Sequence, residues 1–299
     1  MNGFILLPSF YSHRHTDNYK ILFKMMSDEL GFKVHYGKAS AIPKNVDVVI
    51  VYSIPHHNLK GYNLKPLLDL PNRIKIIGFP RDLQCYGKSD CEERKKLMFE
   101  RYDIILSYYH EFFVENHAEY VHKFRYIPQW FASHERYVDL GFNKTPEMKC
   151  LLSGTMGKVY PLRTSICRHS KQPFIATRGT NWGRANGIIK ERYAKMLHSY
   201  YCCATCGSKF DMVLAKHLEI PATGSLLICN QTNDLTRTGF VPDKHYVSIT
   251  KDNAIDKIKE CLENREKYDL IRKRGMRFVH RNHSILNRFE ELKKIIDEI

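Results

Sequence analysis

The sequence contains no run of 18 apolar residues, so it predicts no membrane-spanning helix. Residues 1–8 are also far too few to form the apolar core of a secretory signal. There is no internal repeat and no low-complexity tract, which argues against solenoid and fibrous architectures. The composition is that of an ordinary globular protein, with 43% hydrophobic and 26% charged residues. We expect a cytoplasmic protein, and 299 residues are enough for two domains.

Nine cysteines are present, and an odd number without framework spacing favours reduced thiols over disulfides. Cys203 and Cys206 have the Cys-x-x-Cys spacing of zinc and redox sites, but the sequence has no second such pair. Because residues 200–206 have the composition of a buried strand, we interpret this pair as structural, with zinc or redox chemistry as the alternative. The sequence also has no Asp-x-Asp motif.

The 47 Lys and Arg residues outnumber the 32 Asp and Glu residues, which gives a formal net charge of +15. Such a surface attracts anions over about 8 Å at physiological salt. Three partners fit this charge: a nucleotide sugar, an anionic membrane surface contacted peripherally, and nucleic acid. The basic residues form no arm or long run, and the aromatic residues form no RNA-binding signature. We therefore favour a basic enzyme with an anionic donor substrate.

Apolar runs alternate with helical patterns along the chain, which predicts an α/β protein with parallel sheets. In the first half the predicted strands are residues 4–7, 32–36, 46–52, 74–78, 104–106 and 124–127, and the predicted helices are 17–30, 65–70, 90–102 and 110–120. In the second half the predicted strands are 149–153, 174–176, 200–205, 225–228 and 247–249, and the predicted helices are 162–169, 188–199, 208–220, 253–264, 267–282 and 284–299.

The pattern divides the chain into four segments. Residues 1–132 are predicted to form a Rossmann-like domain, and residues 133–147, which lack periodicity, are predicted to form a linker. Residues 148–282 form a second Rossmann-like domain, and residues 283–299 form a C-terminal helix.

The most informative stretch is residues 208–228, which predicts a capped helix, a Pro/Gly turn and a buried strand. Asp211 and Glu219 are eight residues apart, so on a helix they lie on nearly the same face. The start of such a helix, capped by Ser208, presents N–H groups that suit a phosphate. A carboxylate near its end can hold the hydroxyls of a ribose. The stretch therefore predicts a site for a nucleoside diphosphate.

The run Lys216-His217-Leu218-Glu219-Ile220-Pro221-Ala222-Thr223-Gly224 resembles the signature of the CgeB-like glycosyltransferases, in which a (Lys/Arg)-x-x-Glu block and a glycine turn precede a strand. The spacing from Asp211 to Glu219 is similar to the Glu-x7-Glu element of retaining GT4-like enzymes, with Asp in place of the first Glu. Residues 152–155 with 160–163, residues 193–197, and residues 275–279 with His283 follow in the family's order. The resemblance covers about residues 150–295.

This resemblance implies a GT-B fold, in which two Rossmann-like domains face each other across a cleft and the C-terminal helix crosses back to the first domain. It also implies transfer of a sugar from a nucleotide sugar without a metal. A basic pair, Lys158 and Arg163, would neutralise the diphosphate, and Glu219 would hold the ribose. The candidate donor-binding residues are Gly154, Thr155, Lys158, Arg163, Ser208, Lys209, Glu219, Thr223 and Gly224.

The catalytic residues are less well defined by the sequence. Asp211 is a candidate for contact with the donor sugar. His13, in the loop after the first strand, and Asp82, after the strand at 74–78, are candidate bases for an inverting enzyme, because loops at the carboxyl ends of parallel strands face the ligand. Polar loops without a catalytic role are the alternative for both. The x7 spacing favours retention.

Three functions remain open at this point. The first is a glycosyltransferase that acts on a glycan, a lipid-linked glycan or a protein. The second uses the same donor but a modified base of DNA as acceptor, with the basic surface on the phosphates. The third is an inactive nucleotide-binding protein of the same fold.

Overall fold

A computed structural model describes residues 1–9, 17–52, 63–80, 83, 89–128, 132, 137–178 and 190–299. They form two compact units, the first made of Met1–Ile127 with Arg288–Ile299 and the second of Pro128–Asn287. Both units are α/β, as the alternating pattern predicted. Within the described residues, no helix combines the length and the apolarity that crossing a membrane requires.

The first unit contains a parallel sheet flanked by helices. Its strands are β1 (Gly3–Leu7), β2 (Lys33–Tyr36), β3 (Val48–Tyr52), β4 (Lys75–Phe79), β5 (Ile104–Ser107) and β6 (Phe124–Tyr126), and its helices are α1 (Asp17–Leu30), α2 (Lys65–Leu68), α3 (Ser89–Arg101) and α4 (His110–Asn116), with 3-10 turns at Ala39–Ala41 and Ala118–Lys123. The strand order is β2-β1-β3-β4-β5-β6. Every residue of β1 and β3 is buried, as expected for continuous apolar runs inside a parallel sheet.

The second unit contains a second parallel sheet. Its strands are β7 (Glu147–Ser153), β8 (Ile175–Arg178), β9 (Tyr200–Ala204), β10 (Leu226–Cys229) and β11 (Val247–Ser248), and its helices are α5 (Pro161–Cys167), α6 (Lys190–His198), α7 (Lys216–Ala222), α8 (Asn233–Arg237), α9 (Ala254–Glu263) and α10 (Arg265–Asn282). The strand order is β11-β10-β9-β7-β8. The last helix, α11 (Ile285–Ile296), begins in this unit, and its residues from Arg288 onward belong to the first unit.

Helices cover both faces of the second sheet. Leu162 and Ile166 of α5 share one apolar cluster with Ile258 of α9. Leu197 of α6 and Leu218 of α7 belong to a different cluster. The α5 helix therefore lies on the face opposite to α6 and α7, and this division places the site described below.

The described part of the predicted linker, residues 137–147, packs inside the second unit. Tyr137 is buried in the cluster that contains Leu218. The Asn143 side chain donates to the carbonyl of His198 at 2.9 Å, and the Asn143 carbonyl accepts from Arg272 at 3.1 Å. Sequence periodicity could not reveal these contacts, because they are made by an irregular segment with elements far along the chain.

The cysteines differ in one respect from the expectation of reduced thiols. Cys91, at the start of α3, is disulfide-bonded, so the expectation is wrong at this position. An odd number of cysteines without framework spacing does not exclude a single pair. In the second unit Cys203 and Cys206 are free and buried, as a structural interpretation of their spacing requires.

Candidate functional site

The site lies where the chain leaves two neighbouring strands in opposite directions. Strands β7 and β9 are adjacent and parallel. The chain leaves β7 toward α5 on one face of the sheet and leaves β9 toward α7 on the other face. A crevice forms outside the carboxyl ends of the strands at such a switch point, and ligands of open α/β sheets bind there. The loops that border it are residues 154–160 and 205–215.

Gly154 brings the first loop close to two cationic side chains. Its φ of +90° lies in the region that favours glycine. A Cβ atom at this position would lie 3.0 Å from Cε of Lys216 and 3.5 Å from Nη1 of Arg163. The backbone and the two cations thus meet at the end of β7.

Arg163, one of the predicted phosphate ligands, spans the two loops. Its Nη1 donates to the carbonyl of Thr155 and its Nη2 to Oγ1 of Thr205, both at 2.9 Å. The guanidinium also lies over the ring of Tyr160, 4.4 Å from the centroid. The residue is only 2% exposed, and its Nε has no hydrogen-bond partner among the described residues. These contacts fix a charge at the switch point.

Lys216 is a second cation at this point, and it is not among the site residues predicted from the sequence. Its Nζ donates to Oγ of Ser153 at 3.1 Å and to the hydroxyl of Tyr193. Burial lowers the pKa of Lys216 to about 8, Glu219 opposes the shift, and Arg163 adds to it. The signal was present in the Lys-x-x-Glu block, in which Lys216 occupies the basic position.

Glu219 faces this cluster from the next turn of α7. Residues three apart on a helix lie on the same side, so Glu219 follows Lys216 on one face. Burial raises the pKa of Tyr193, and the charge of Glu219 raises it further. The same carboxylate raises the pKa of Lys216. The predicted ribose ligand therefore lies near Lys216 and Tyr193.

Asp211 does not share a helix with Glu219, so the prediction of a helix from Ser208 is wrong. Residues 205–214 form a loop, and α7 begins at Lys216. Asp211 is exposed, with a left-handed φ of +52°. The argument that helix N-terminal amides at Ser208 bind phosphate fails for the same reason.

Hydrogen bonds to other parts of the chain explain this loop. The amide of Gly207 donates to Oδ1 of Asn230 at 3.0 Å, and the amide of Lys209 donates to the carbonyl of Val159 at 2.8 Å. The Ser208 hydroxyl accepts from the amide of Phe210, a local bond that competes with helix formation. Ser208 and Lys209 nevertheless remain at the switch point, because the bond to Val159 joins their loop to residues 154–160.

Two more predicted donor residues form the turn after α7. Gly224 has a φ of +77°, its amide donates to the carbonyl of Pro221, and its own carbonyl accepts from Nε of Arg272. The Thr223 hydroxyl donates to the carbonyl of Ile220 at 2.7 Å, and the residue is fully buried. Thr223 therefore has no surface for a phosphate, and we assign both residues a structural role.

The remaining predicted residues lie at the edge of the site or outside the described chain. Thr155 and Lys158 are exposed in the loop after β7. His13 and Asp82 lie outside the described residues.

A cavity of about 1060 Å³ opens in the second unit beside the loops at residues 154–160 and 205–215. Its lining includes Lys158, Ser208, Lys209 and Asp211 from the loops of the switch point. Pockets of several hundred Å³ are typical of small-molecule sites, so the space suits a ligand of substantial size.

Comparisons with known proteins find one family model and several solved structures that are similar to this chain. Residues 164–294 match a family model described as glycosyl transferase-like. No curated protein matches the sequence. An alpha-glucosyltransferase in complex with UDP and a 13-mer DNA containing an HMU base has a TM-score of 0.67 at 12% identity, with 99% of both chains covered. HepE of Anabaena in complex with UDP-glucose has a TM-score of 0.67 at 9% identity, with 100% of both chains covered.

A third similar structure is the sucrose-phosphate synthase of Thermosynechococcus elongatus, with a TM-score of 0.65 at 10% identity and coverage of 100% of this chain and 98% of that chain. At these identities the structures show the fold, which is GT-B with two Rossmann-like domains. The family model adds that the sequence of residues 164–294 is similar to glycosyl transferases. The narrower CgeB-like and GT4-like assignment stays a prediction.

Proposed function

We propose that the protein transfers a sugar from a nucleoside diphosphate sugar to a hydroxyl acceptor. The observation that carries this proposal is the meeting of Arg163 and Lys216 at Gly154, on the switch point of the second sheet. Bond cleavage at the anomeric carbon leaves negative charge on the diphosphate, and fixed cations stabilise that charge as it develops. The two side chains are held before a ligand binds, by Thr155 and Thr205 on one side and by Ser153 and Tyr193 on the other.

Because side-chain cations supply this charge, we propose that the reaction needs no metal ion. Transfer is then expected to continue when a chelator such as EDTA is present. Loss of activity on chelation, with recovery on addition of a divalent ion, would contradict this part of the proposal. Lys158 and Lys209 extend the positive charge along the two loops.

We assign the ribose to Glu219. Its carboxylate lies near Lys216, so a nucleotide whose diphosphate binds at Lys216 brings its ribose hydroxyls within reach. Asp211 lies in the loop between β9 and α7 and borders the cavity, and we assign it to the transferred sugar. We propose retention of configuration on the basis of the x7 spacing.

The test is a thermal-shift panel of nucleotides and nucleotide sugars. A ligand at 100 times its Kd stabilises a protein by about 2.7 kcal/mol. We expect a shift with one class of nucleotide sugar, and loss of the shift in Glu219→Ala but not in Glu263→Ala, which removes an exposed carboxylate at the end of α9. If no nucleotide changes the melting temperature, the proposed function is wrong. Binding without hydrolysis or transfer would identify the inactive alternative.

The acceptor classes that we propose are a glycan, a lipid-linked glycan or a protein, and DNA is a second candidate. The net charge of +15, most of it in the second unit, is the observation that favours DNA. A similar structure, the alpha-glucosyltransferase, is in complex with DNA. If DNA is the acceptor, the affinity of the protein for duplex DNA falls steeply as salt is added. The logarithm of the binding constant then falls with the logarithm of the salt concentration, with a slope of about −0.9 per neutralised phosphate. No measurable duplex binding at low salt would exclude this candidate and leave the donor chemistry standing.

A further inference from the structure

The solvent-facing side of α10 carries a line of cations, which we call the α10 stripe. Its four members are exposed and follow one another at helical spacing, so they project from one side of the helix. They are Lys273, Arg274, Arg277 and Arg281. The opposite side of α10 is buried, because a Cβ atom at Gly275 would lie 3.4 Å from Cβ of Pro221 in α7. The stripe therefore faces away from α7 and from the proposed donor site.

No acid of the same helix balances the α10 stripe. Residues 270–282 contain no Asp and no Glu. Within the described chain, the three arginines of the stripe form no ion pair and no side-chain hydrogen bond. Other helices pair their exposed cations at the same spacing, as Lys24 does with Asp28 in α1 and Lys259 with Glu263 in α9. The charge of the stripe is therefore available to an anionic partner outside the chain.

The loop before β11 adds a fifth cation beside the stripe. The ring of His245 stacks on Phe278 of α10, with the ring centroids 4.2 Å apart. Burial lowers the pKa of His245, and the charges of Lys244 and Arg274 lower it further, so both cations lie near this ring. Asp243 is the only acid between α8 and β11 in the sequence. This surface therefore combines five cations with one acid.

Exposed apolar side chains occur in the same region. Leu270 is 49% exposed and lies one turn before Arg274 on the same side of α10. Val241, in the loop with Lys244, is 45% exposed, and Leu286, in the first turn of α11, is 62% exposed. These three are the only large apolar side chains that are exposed among the described residues of the second unit. A membrane interface takes up apolar side chains while its head groups bind cations, whereas a nucleic-acid backbone offers only the charge.

We propose that α10 docks the protein on a membrane surface rich in anionic phospholipids, with the α10 stripe and Lys244 on the lipid phosphates and Leu270 inserted between the head groups. Clusters of about four to eight Lys and Arg side chains on a helix bind such surfaces. Arginine suits this contact because its guanidinium binds phosphate through two parallel hydrogen bonds. Docking goes beyond the proposed function and does not depend on it, because no nucleotide sugar takes part in the contact.

The test is co-sedimentation of the full chain with vesicles of phosphatidylserine and phosphatidylcholine, and vesicles of phosphatidylcholine alone are the neutral reference. We expect binding to the anionic vesicles only, with an affinity that falls as salt is added. Removal of the three arginines together, in Arg274→Ala/Arg277→Ala/Arg281→Ala, is expected to weaken binding about a hundredfold, at about fivefold for each cation. Leu270→Ser is expected to weaken it by roughly fivefold, because about half of this side chain is available for burial.

The matched control removes the same charge from other helices. Lys24→Ala/Lys96→Ala/Lys259→Ala replaces three exposed lysines of α1, α3 and α9. This variant is expected to bind anionic vesicles with nearly native affinity. All replaced side chains are exposed, so each variant is expected to keep the native melting temperature, which is measured alongside.

The outcomes separate a membrane partner from net charge and from nucleic acid. Binding to anionic vesicles that is lost in the arginine variant and kept in the lysine variant supports docking through α10. Equal losses in both variants, or no binding of the native protein to anionic vesicles, overturn it. Duplex DNA that binds the native protein, loses affinity in the arginine variant and keeps it in Leu270→Ser, with no vesicle binding, would make the stripe a nucleic-acid surface. The thermal shift with nucleotide sugars tests the proposed function separately, because no residue of the stripe belongs to the donor site.

Discussion

Nζ of Lys216 donates a hydrogen bond to Oγ of Ser153 at 3.1 Å, and this bond joins the first residue of α7 to the last residue of β7. The hydroxyl of Tyr193, from α6, accepts a second bond from the same ammonium and lies 3.3 Å from the Ser153 hydroxyl. Three separate elements thus fix one cation. Such a preorganised charge can stabilise a leaving diphosphate without rearrangement of the site.

Tyr193→Phe tests whether the hydroxyl positions Lys216. The variant keeps the buried ring but removes one acceptor from the ammonium, which leaves Lys216 less firmly held. We expect the KM for the nucleotide sugar to rise by roughly tenfold, the equivalent of one hydrogen bond to a charged group. Steady-state kinetics provide the measurement.

The matched control is Tyr246→Phe, because the Tyr246 hydroxyl is buried without a hydrogen-bond partner in the described part of the chain. It is expected to leave KM unchanged. If both variants raise KM equally, the effect of Tyr193 comes from packing and the positioning role is wrong.

The protonation of Lys216 predicts how activity depends on pH. Since burial lowers its pKa to about 8, Lys216 is cationic below this pH and neutral above it. The profile of kcat/KM reports groups of the free enzyme, so we expect it to fall as the pH rises through about 8. Lys216→Arg retains the charge at high pH and is expected to remove this decline, since arginine stays protonated. An unchanged decline in that variant would assign it to another group.

Much of the fold follows from local sequence patterns, because the spacing of apolar residues within a segment determines which of its side chains are buried. The helical spacing at residues 17–30 predicted α1 with its observed bounds, and the apolar run of β3 predicted a strand buried throughout. Residues 208–215 also have helical spacing, yet they form a loop. The bonds that hold this loop lead to Val159 and Asn230, which no local pattern can reveal.

The separation of contacting residues along the chain also explains which site residues could be predicted from the sequence. Arg163 and Glu219 lie in blocks with recognisable spacing, and the structure brings both to the switch point. Lys216 owes its role to Ser153 and Tyr193, which are 63 and 23 residues away in the chain. A contact at such separation becomes visible only when the strands and helices are assembled.

Gly154→Ala distinguishes the effect of backbone strain on stability from an effect on nucleotide binding. At φ +90° a side chain costs roughly 1–3 kcal/mol of stability, and the new Cβ would also press on Cε of Lys216 at 3.0 Å. Gly141→Ala is the control, because its φ is +66° but a Cβ there meets nothing within 4 Å. Both variants are expected to lower the urea midpoint, whereas only Gly154→Ala weakens nucleotide binding. Normal nucleotide affinity in Gly154→Ala would argue against close approach of the diphosphate at this glycine.

The buried histidine next to Lys216 predicts a loss of stability in acid. His217 is fully buried, and its Nδ1 accepts from the amide of Leu214 at 2.9 Å. Burial lowers its pKa from 6.5 to about 4, so between these values the unfolded chain binds a proton that the folded chain does not. The stabilisation is therefore present above pH 6.5 and is lost as the pH falls through about 4. Between pH 7 and pH 5 the loss amounts to about 2 kcal/mol.

His217→Asn is the variant that tests this origin. The asparagine side-chain oxygen can accept from the Leu214 amide in place of Nδ1, but it does not titrate. Urea unfolding of the second unit, followed at pH 7 and pH 5, should show about 2 kcal/mol less dependence on pH in this variant than in the native protein. His169→Asn replaces an exposed histidine and is expected to keep the native dependence. If His217→Asn also keeps the native pH dependence, the loss of stability in acid arises from another group. The neutral form of His217 is then not the cause of this pH dependence.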